Sequence, residues 1–471
     1  METVVAAATA TAFIGRKNFW LDEGYSFVGA HRSLSSMVHV VLHDRGVMGL
    51  YYVALHFWLA LGRTEGVIRL LSVPAAVATV PVVAELARRL AGRRTALVAG
   101  ALCAVNPMVV QYAQEARAYS LVLLVAASSA LLFTACVSRP RITTAVSWAV
   151  VSAAGFYAHS YIALLVVAEL ASLLLLPRGR RPRVLLPAAV GFGVLIAPLL
   201  IAVLAVRGHL PDAHRFSLLD PGRLIYAFSG SIPLAVLAVV LLAVAAVQTY
   251  RSMSVAPERR WESGFPWVML VLPAAVALAM SLVHPAWRER YLIVSLPAFL
   301  ILVARAVRGL TIAWLRPTAV VVLVALSAVA VGGYYAGHVK AATDWRAASS
   351  YALRHAARGD ALWFVPATGY VPFDYYQWRD RAAGPHVLGL PADPLRSSIH
   401  PRVEPLSRVR SEAATQQGVC TVLLAPNESV ARQWFAQRVR TVRQVLGPRL
   451  SLASVSRFGP LLRVVCFRRS G

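Results

Sequence analysis

Two adjacent carboxylates and two arginine-containing segments are the parts of this sequence best suited to chemistry. Asp22 and Glu23 lie in the segment NFWLDEGYSF, directly after the first apolar run, whereas Arg117 lies in QEARAY and Arg290 in RERY. A carboxylate can take a proton from a hydroxyl group. An arginine can hold a phosphate through two parallel hydrogen bonds and stabilise its charge as it leaves. Together these residues predict group transfer from a phosphate to a hydroxyl.

The rest of the chain has the composition of a membrane protein. Of its 471 residues 58% are hydrophobic and 14% are charged, whereas about a quarter of the residues in a soluble domain are charged. Several runs of about 17 to 20 residues carry no charge, which is enough for a helix to cross a bilayer core of about 30 Å. The sequence therefore predicts a polytopic α-helical membrane protein.

The positive charge of the chain also fits a membrane protein. The net charge is +26, from 47 basic and 21 acidic residues, and the basic residues cluster between apolar runs. Such clusters are typical of cytoplasmic loops under the positive-inside rule, so we predict no nucleic-acid partner. The clusters are ARRLAGRR, SRPR, PRGRRPR, PERR and WLRP.

Charge and hydropathy together predict about 11 transmembrane helices. The first apolar run, residues 3–15, is short for a span, and we expect the true start of the chain to lie upstream. In the predicted topology every strongly basic loop is cytoplasmic and the residues with chemistry lie outside. The ten later spans are 65–87, 95–110, 118–137, 142–158, 161–176, 184–206, 231–248, 265–283, 291–307 and 317–335.

Residues 46–62, GVMGLYYVALHFWLALG, are long and apolar but are not counted as a span. Counting them would reverse every later loop and place the arginine clusters outside the cell. A helix rich in aromatic residues and bounded by glycine can instead lie in the membrane interface. We therefore predict one long outer loop over residues 16–64 with an interfacial helix at 46–62.

The last 136 residues, 336–471, change character and predict a small extracytoplasmic α/β domain. Short apolar stretches alternate with helical patterns around 344–357 and 428–439, which favours a partly parallel sheet. Cys420 and Cys466 lie on two predicted strands, either as a disulfide or as two buried thiols. The predicted strands are ALWFV, HVLGL, CTVLLA and LLRVVCF.

The predicted topology brings residues from separate loops to the outer membrane face, where a pocket could take a lipid-borne substrate and a water-soluble one. Individually, the carboxylates could be merely solvated, RERY could anchor a helix at the interface, and HSY could form a tight turn. Glu169, inside the sixth span, is either functional or a structural hydrogen-bonding residue. The collected residues are Asp22, Glu23, His43, Asp44, Arg45, Gln114, Glu115, Arg117, Tyr119, His159, Tyr161, His284, Arg288, Glu289, Arg290 and Tyr291.

Several segments in combination resemble glycosyltransferase family 39, membrane transferases of the GT-C fold. This family includes protein O-mannosyltransferases and the aminoarabinose transferase of lipid A. The resemblance covers nearly the whole chain and is greatest to bacterial mannosyltransferase-like proteins, which often contain a segment similar to YYAGHVKAATDWRAA. The other segments are WLDEGYS, LYYVALHFWLALGRTEGVIRLLSV, NPMVVQYAQEARAYSL and RERYLIVSLPA.

The resemblance implies roles for individual residues. Asp22 matches the aspartate regarded in this fold as the catalytic base, with Glu23 as its acidic neighbour, and 46–62 matches a juxtamembrane helix. Arg117 and Arg290 match positions near the donor phosphate, and we expect Arg288 and His284 to assist them. The segment HDRGVM replaces a proline pair of the relatives, which leaves the donor-site contribution of His43, Asp44 and Arg45 open. Some relatives bind a divalent metal, but no ligand spacing here identifies one.

The resemblance and the residues together predict a bacterial cell-membrane glycosyltransferase. A GT-C transmembrane catalytic domain, 1–335, would precede the α/β domain 336–471. The enzyme would pass a sugar, expected to be mannose, from a polyprenyl-phosphate donor to an extracytoplasmic acceptor with inversion, and Phe19 and Trp20 would seat the catalytic loop at headgroup level. The alternatives are an arabinose transferase of the same fold, a lipid-sugar transporter and a non-catalytic membrane subunit. A transporter should show internal repeats, which we do not find.

Overall fold

The computed structural model describes residues 1–469 except for 44–47, 206–215, 338–341, 357–358, 392 and 397. The chain divides into two compact units. We call residues 1–14, 45–51 and 69–336 the helical unit, and residues 15–44, 52–68 and 337–471 the sheet unit. The predicted boundary near residue 335 had placed the whole loop 16–64 with the membrane helices. In the structure most of that loop groups with the C-terminal residues instead.

The first 336 residues form helices almost throughout, because most of their segments are long, apolar and free of strand-like alternation. A 3₁₀ helix at Leu59–Leu61 continues α4, and another at Glu289–Ser295 leads into α16. In chain order the α-helices are α1 Glu2–Thr11, α2 Leu21–Ala30, α3 Leu34–His43, α4 Gly49–Trp58, α5 Glu65–Arg69, α6 Val73–Ala91, α7 Arg93–Ala104, α8 Pro107–Ala113, α9 Tyr119–Ser138, α10 Ile142–Ala158, α11 Ile162–Ser172, α12 Leu185–Ala205, α13 Asp220–Ser229, α14 Ile232–Val255, α15 Arg260–Val283, α16 Leu296–Arg308 and α17 Leu315–Tyr335.

The polytopic helical prediction is confirmed, but the count of 11 spans is not. Within the described residues seven helices or helix runs are long and apolar enough to cross a bilayer, and the bent pair α7 and α8 makes an eighth. Each of the 11 predicted segments does contain a helix, yet α1, α10 and α11 are too short for this criterion. Residues Gly49–Leu61 likewise form only a short apolar helix, which is too short for a span by the same criterion.

The bend of 50° between α7 and α8 follows from the sequence Asn106–Pro107. The Asn106 side chain caps α8 by accepting hydrogen bonds from the amides of Met108 and Val109, at 3.0 and 3.2 Å. Proline is favoured in the first turn of a helix and disfavours a helical residue before it. The Asn106 amide also donates to the carbonyl of Phe228 at 2.9 Å, so the cap of α8 is also bonded to the end of α13.

Glu169 is fully buried in α11 and is held by neutral donors from the two preceding helices. Trp148 Nε1 donates to one carboxylate oxygen at 2.7 Å, and Ser129 Oγ lies 2.9 Å from both oxygens. Ser152 lies 2.8 Å from Ser129, which extends this network. These contacts favour the structural role of Glu169, because they connect α9, α10 and α11 inside an apolar bundle.

We predict that Glu169→Leu destabilises the helical unit by about 1–3 kcal/mol, because the Trp148 indole donor would remain buried without its acceptor. Glu169→Gln keeps one acceptor oxygen and should lose less. Thermal unfolding of the purified protein in detergent measures both, with Val167→Leu on the exposed face of α11 as control. Equal stability of the Leu and Gln variants would contradict the structural role.

The sheet unit contains a four-stranded mixed sheet in the order β1-β2-β4-β3. β1 and β2 are parallel, whereas β4 is antiparallel to both β2 and β3. The partly parallel sheet is therefore as predicted, and apolar side chains such as Val419, Phe435 and Val465 form its core. The elements are β1 Ala361–Val365, β2 Gly418–Leu424, β3 Leu450–Arg457 and β4 Leu462–Arg469, with helices α18 Trp345–Ala356, α19 Tyr370–Arg379, α20 Leu406–Ala413 and α21 Ala431–Leu446.

The strand prediction is wrong at two places. The segment HVLGL forms only an isolated bridge from Val387 to Leu362. The edge strand β3 was missed, because its sequence LSLASVSR is rich in serine and mostly exposed rather than apolar. Of the two alternatives for Cys420 and Cys466, the structure has the disulfide, which joins directly paired positions of β2 and β4.

Candidate functional site

Six of the predicted site residues come together in the helical unit. They lie on three connections: the turn before α9, the turn between α10 and α11, and the 3₁₀ helix Glu289–Ser295. The His159 ring is the centre of this cluster, with ring centroids 4.9 Å from Tyr291, 5.5 Å from Tyr161 and 6.0 Å from Tyr119. We call Arg117, Tyr119, His159, Tyr161, Arg290 and Tyr291 the arginine–aromatic cluster.

The two arginines of the cluster lie against aromatic rings. The guanidinium carbon of Arg117 is 5.8 Å from the Tyr119 ring centroid, and that of Arg290 is 5.6 Å from the Tyr291 ring centroid. Both distances are within the range of cation–π attraction. Such contacts orient the guanidinium groups in a partly buried place, where a bound phosphate would meet two positive charges.

His159 is a neutral group at the centre of this positive region. Burial, together with the nearby charges of Arg117 and Arg290, lowers the pKa of His159 to about 3. Its Nδ1 accepts the backbone N–H of Tyr161 at 3.3 Å. The proton of the neutral ring is therefore on Nε2, which makes His159 a hydrogen-bond donor at neutral pH.

Tyr161 positions the same turn. Its hydroxyl donates to the carbonyl of Ala286, which precedes the RERY segment. Burial and the neighbouring Tyr291 raise the pKa of Tyr161. The phenol therefore stays protonated and keeps this bond across the physiological pH range.

Gln114 and Glu115 have contacts that hold helices together. The Gln114 amide donates to the carbonyls of Thr9 and Ala12, at 3.2 and 2.7 Å, and so fixes the end of α1. A Glu115 carboxylate oxygen accepts from Gln111 at 3.0 Å, and its backbone carbonyl accepts from Ser72 at 2.7 Å. Through these hydrogen bonds both residues hold neighbouring segments together beside the cluster.

The remaining predicted residues of the helical unit differ in position. His284 is exposed at the C-terminal end of α15 and has no ring contact with the cluster among the described residues. Arg288 is half-buried, and its Nε has no hydrogen-bond partner in the described part of the chain. Glu289 accepts from the indole of Trp287 at 3.3 Å. Asp44 and Arg45 lie outside the described residues, as does the side chain of His43.

Asp22 and Glu23 lie in the sheet unit, in the first turn of α2. Their side chains are buried, with exposed fractions of 6% and 0%. A helix N-terminus stabilises negative charge, because its free N–H groups and dipole point toward it. Packing of α2 on α19 is close at Gly24, where an added Cβ would lie 3.0 Å from Val371 and 3.1 Å from the Pro372 nitrogen.

Phe19 contributes to the same packing. Its ring stacks on Tyr375 with centroids 4.0 Å apart, and its N–H donates to the Tyr376 hydroxyl at 2.8 Å. Phe19 is fully buried, so the prediction that it anchors the loop in the headgroup layer is wrong. The aromatic residue instead orders the chain that enters α2.

A buried carboxylate, Glu65, was not predicted. One of its oxygens accepts from Arg346 at 2.9 Å, Arg379 at 3.1 Å and Tyr376 at 3.2 Å. Arg346 belongs to the DWR segment that the family resemblance had singled out. No periodic pattern marks Glu65, but its partners show that this segment of the sheet unit ties the first outer loop to the C-terminal residues.

Comparison with known proteins identifies the fold. Residues 44–206 match the family model for dolichyl-phosphate-mannose-protein mannosyltransferase. The structure resembles ArnT from Cupriavidus metallidurans in the apo state, with a TM-score of 0.64 and 14% identity over 99% of this chain and 97% of that chain. The chain therefore has the GT-C fold. No curated relative matches its sequence significantly.

Two further solved structures share this fold. ArnT from Cupriavidus metallidurans bound to undecaprenyl phosphate has a TM-score of 0.60 and 15% identity, over 99% of this chain and 97% of that one. The oligosaccharyltransferase AglB from Archaeoglobus fulgidus, in complex with an inhibitory peptide and a dolichol-phosphate, has a TM-score of 0.51 and 10% identity. That alignment covers 93% of this chain and 70% of AglB.

A second acidic group in the sheet unit was also missed from sequence. The pKa of Asp374 is raised to about 6, mainly by burial and also by Asp393, although Tyr370 and Arg32 act in the opposite direction. Asp374 lies on α19, the helix that packs against α2. Its sequence context, PFDYYQ, contains no spacing that separates it from an ordinary surface aspartate.

The described residues offer one possible cluster of metal ligands, His355, Cys420 and Cys466, with their ligand atoms within 4.8 Å of one another. The two cysteines form the disulfide, and disulfide sulfurs are not the thiolates that bind metal ions. This group therefore does not fit a metal. A divalent metal therefore stays an expectation from the family resemblance.

Proposed function

We propose that this protein is a glycosyltransferase that passes a sugar from a polyprenyl-phosphate donor to an acceptor hydroxyl on the extracytoplasmic side of the membrane. The observation that supports it is the arginine–aromatic cluster, in which two guanidinium groups and one neutral imidazole donor meet. The donor class also agrees with the undecaprenyl phosphate and dolichol-phosphate bound to two proteins of similar fold.

Asp22 acts as the general base in this proposal. Its carboxylate takes the proton of the acceptor hydroxyl while that oxygen attacks the anomeric carbon of the sugar. The bond between the anomeric carbon and the phosphate oxygen breaks, and the electron pair leaves with the polyprenyl phosphate. Attack from the face opposite the phosphate inverts the anomeric configuration. Burial of the carboxylate in the first turn of α2 would hold it ready for this step.

Arg117 and Arg290 bind the donor phosphate and stabilise the negative charge that grows on it as the bond breaks. His159 adds a hydrogen-bond donor through Nε2. Its ring is already neutral at physiological pH. A phosphate whose negative charge is stabilised in this way is a good leaving group, so the reaction needs no separate general acid. Arg288 and His284 are secondary candidates for the same phosphate, and Glu23 is the neighbour of the base.

Mannose is the proposed sugar, and arabinose is the second candidate. The matching family model describes transfer of mannose from a dolichyl-phosphate carrier. The solved structure with the higher TM-score is an ArnT, which favours keeping the pentose as an alternative, because the resemblance includes aminoarabinose transferase. A lipid-sugar transporter is the alternative from another functional class.

The orientation of the enzyme is also part of the proposal. The arginine–aromatic cluster lies at the N-terminal end of α9, and the basic segment SRPR follows its C-terminal end. The positive-inside rule places the basic end in the cytoplasm and the cluster outside. The Cys420–Cys466 disulfide of the sheet unit agrees, because disulfides persist in oxidising extracytoplasmic compartments.

A donor panel tests the proposed function. Membranes containing the protein are incubated with labelled polyprenyl-phosphate mannose, polyprenyl-phosphate arabinose or a nucleotide-activated mannose, in the presence of cell-envelope acceptors. We expect label in the acceptor fraction and stoichiometric release of polyprenyl phosphate from the mannose donor. Direct use of the nucleotide sugar would contradict the proposal. Movement of intact lipid-linked sugar across sealed vesicles without release of polyprenyl phosphate would favour the transporter.

A further inference from the structure

A basic cavity of about 680 Å³ lies at the opposite end of the helical unit from the arginine–aromatic cluster. Its walls come from the turn between α6 and α7, the C-terminal part of α14, the start of α15 and the end of α16. Five arginines line it, Arg88, Arg89, Arg259, Arg305 and Arg308, with Glu262 as the one acidic lining residue. The lining therefore has a surplus of four positive charges.

Several of these arginines are held in place by the protein. Arg305 donates to the Ser263 hydroxyl at 3.0 Å and to the Ser263 carbonyl at 3.3 Å. Glu85 accepts from Arg88 at 2.6 and 2.8 Å and from Arg89 at 2.8 Å. Ordering these side chains in advance lowers the entropy that a ligand must overcome when it binds.

Two arginines of the basic cavity have side-chain N–H groups that are available to a ligand. Within the described part of the chain, the side chains of Arg259 and Arg308 make no hydrogen bond and no ion pair, although both residues line the cavity. Arg308 is half-buried and Arg259 is exposed at the rim. A guanidinium group has five N–H donors and favours phosphate oxygens. These two residues therefore supply donors that the protein itself does not satisfy.

A second cavity of about 470 Å³ adjoins the first. It shares Arg88 and Arg89 with the basic cavity and adds Arg139 and Arg141 from the turn between α9 and α10. The two shared arginines therefore form a common wall, and further arginines line the cavity on each side of it. This geometry suits a headgroup that carries two phosphates better than a single phosphate ion.

The basic cavity is independent of the proposed catalytic residues. Tyr119 begins α9 beside the arginine–aromatic cluster, and Arg139 follows its last residue beside the second cavity. A helix of 20 residues is roughly 30 Å long at 1.5 Å per residue. The cavity thus lies about one bilayer core away from the cluster.

We propose that the basic cavity binds the headgroup of an anionic phospholipid, with a preference for a headgroup of two phosphates. The helices whose ends form the walls are apolar spans, so the cavity opens where lipid headgroups lie. Basic pockets between transmembrane helices on the cytoplasmic side are known to bind such headgroups. An inorganic phosphate offers the same oxygens but lacks the acyl chains that would contact the apolar helix surfaces.

Native mass spectrometry of the detergent-solubilised full-length protein tests the proposal. The probes are cardiolipin with two phosphates, phosphatidylglycerol with one, zwitterionic phosphatidylcholine, and inorganic phosphate alone. We expect retained adducts in the order cardiolipin, phosphatidylglycerol, phosphatidylcholine, and none with inorganic phosphate at the same concentration. The variant Arg259→Gln/Arg308→Gln should weaken cardiolipin binding on the order of tenfold or more, since each basic side chain near anionic lipid contributes appreciably.

The matched control is Arg178→Gln/Arg180→Gln, which removes the same charge from another arginine-rich connection whose two side chains are exposed and line neither cavity. It should leave cardiolipin binding within twofold of the unmodified protein. Equal losses in both variants would show attraction to the overall positive charge and would overturn the site. Unchanged binding in the cavity variant, or inorganic phosphate binding without lipid preference, would overturn it as well.

Discussion

Replacing Asp22 with asparagine is expected to lower the rate of sugar transfer by about 10²–10⁴-fold, the usual contribution of a general base. The amide has nearly the size of the carboxylate but cannot accept the acceptor proton as the hydroxyl oxygen attacks. Asp22 is buried in the first turn of α2, where an asparagine fits without rearrangement. The measurement is transfer from labelled polyprenyl-phosphate sugar in membranes, normalised to the amount of folded protein.

Glu23→Gln is the matched control for Asp22→Asn. Glu23 is the adjacent acid of the same helical turn and is fully buried, so both variants remove one buried negative charge. We expect Glu23→Gln to retain more activity, because the proposal gives the proton transfer to Asp22. Normal turnover of the Asp22 variant, or an equal loss in both variants, would remove the assigned role from Asp22.

The loss of one donor-phosphate arginine is expected to lower kcat/KM for the lipid-linked donor by about 10²–10³-fold, as for removal of a group that stabilises a leaving oxyanion. The variants are Arg117→Gln and Arg290→Gln. Each takes away a guanidinium group that lies within 6 Å of a cluster tyrosine ring, at 5.8 Å for Arg117 and 5.6 Å for Arg290. Initial rates over a series of donor concentrations, at saturating acceptor, give the change.

Arg288→Gln provides the comparison within the same segment. It removes an equal charge two residues before Arg290, from a side chain that has no ring contact with the cluster among the described residues. We expect a smaller loss than for Arg290→Gln. The double variant Arg117→Gln/Arg290→Gln should lose less than the product of the single losses, because both groups act on one phosphate. Unchanged donor dependence in both single variants would exclude the cluster as the donor site.

The grouping of Arg117, His159 and Arg290 within the helical unit was largely predictable from sequence. Apolar runs between arginine clusters indicated which ends of the helices share a membrane face. That inference grouped Arg117 with His159 and Arg290, and the structure brings these three together. Hydropathy is informative here because every span must cross the same bilayer and therefore has nearly the same length.

The burial of the individual residues was not predictable in the same way. Gln114 turned out to hold the end of α1, and His284 is exposed at the end of α15. Loop residues of one membrane face share a depth, but their neighbours depend on how each connection folds. Depth in the membrane is a property of the local sequence, whereas a contact across a loop is not.

The sequence by itself determined the helices, the membrane class, the distribution of positive charge and the alternation that produces most of the sheet. Only the tertiary structure decided that the first outer loop groups with the C-terminal residues, through Glu65 with Arg346 and Arg379. It also decided the Cys420–Cys466 pairing and the burial of Phe19. The periodicity of apolar residues depends only on residues that are close together in the chain. An ion pair between residues 281 positions apart forms only when the packed chain brings both groups to one place.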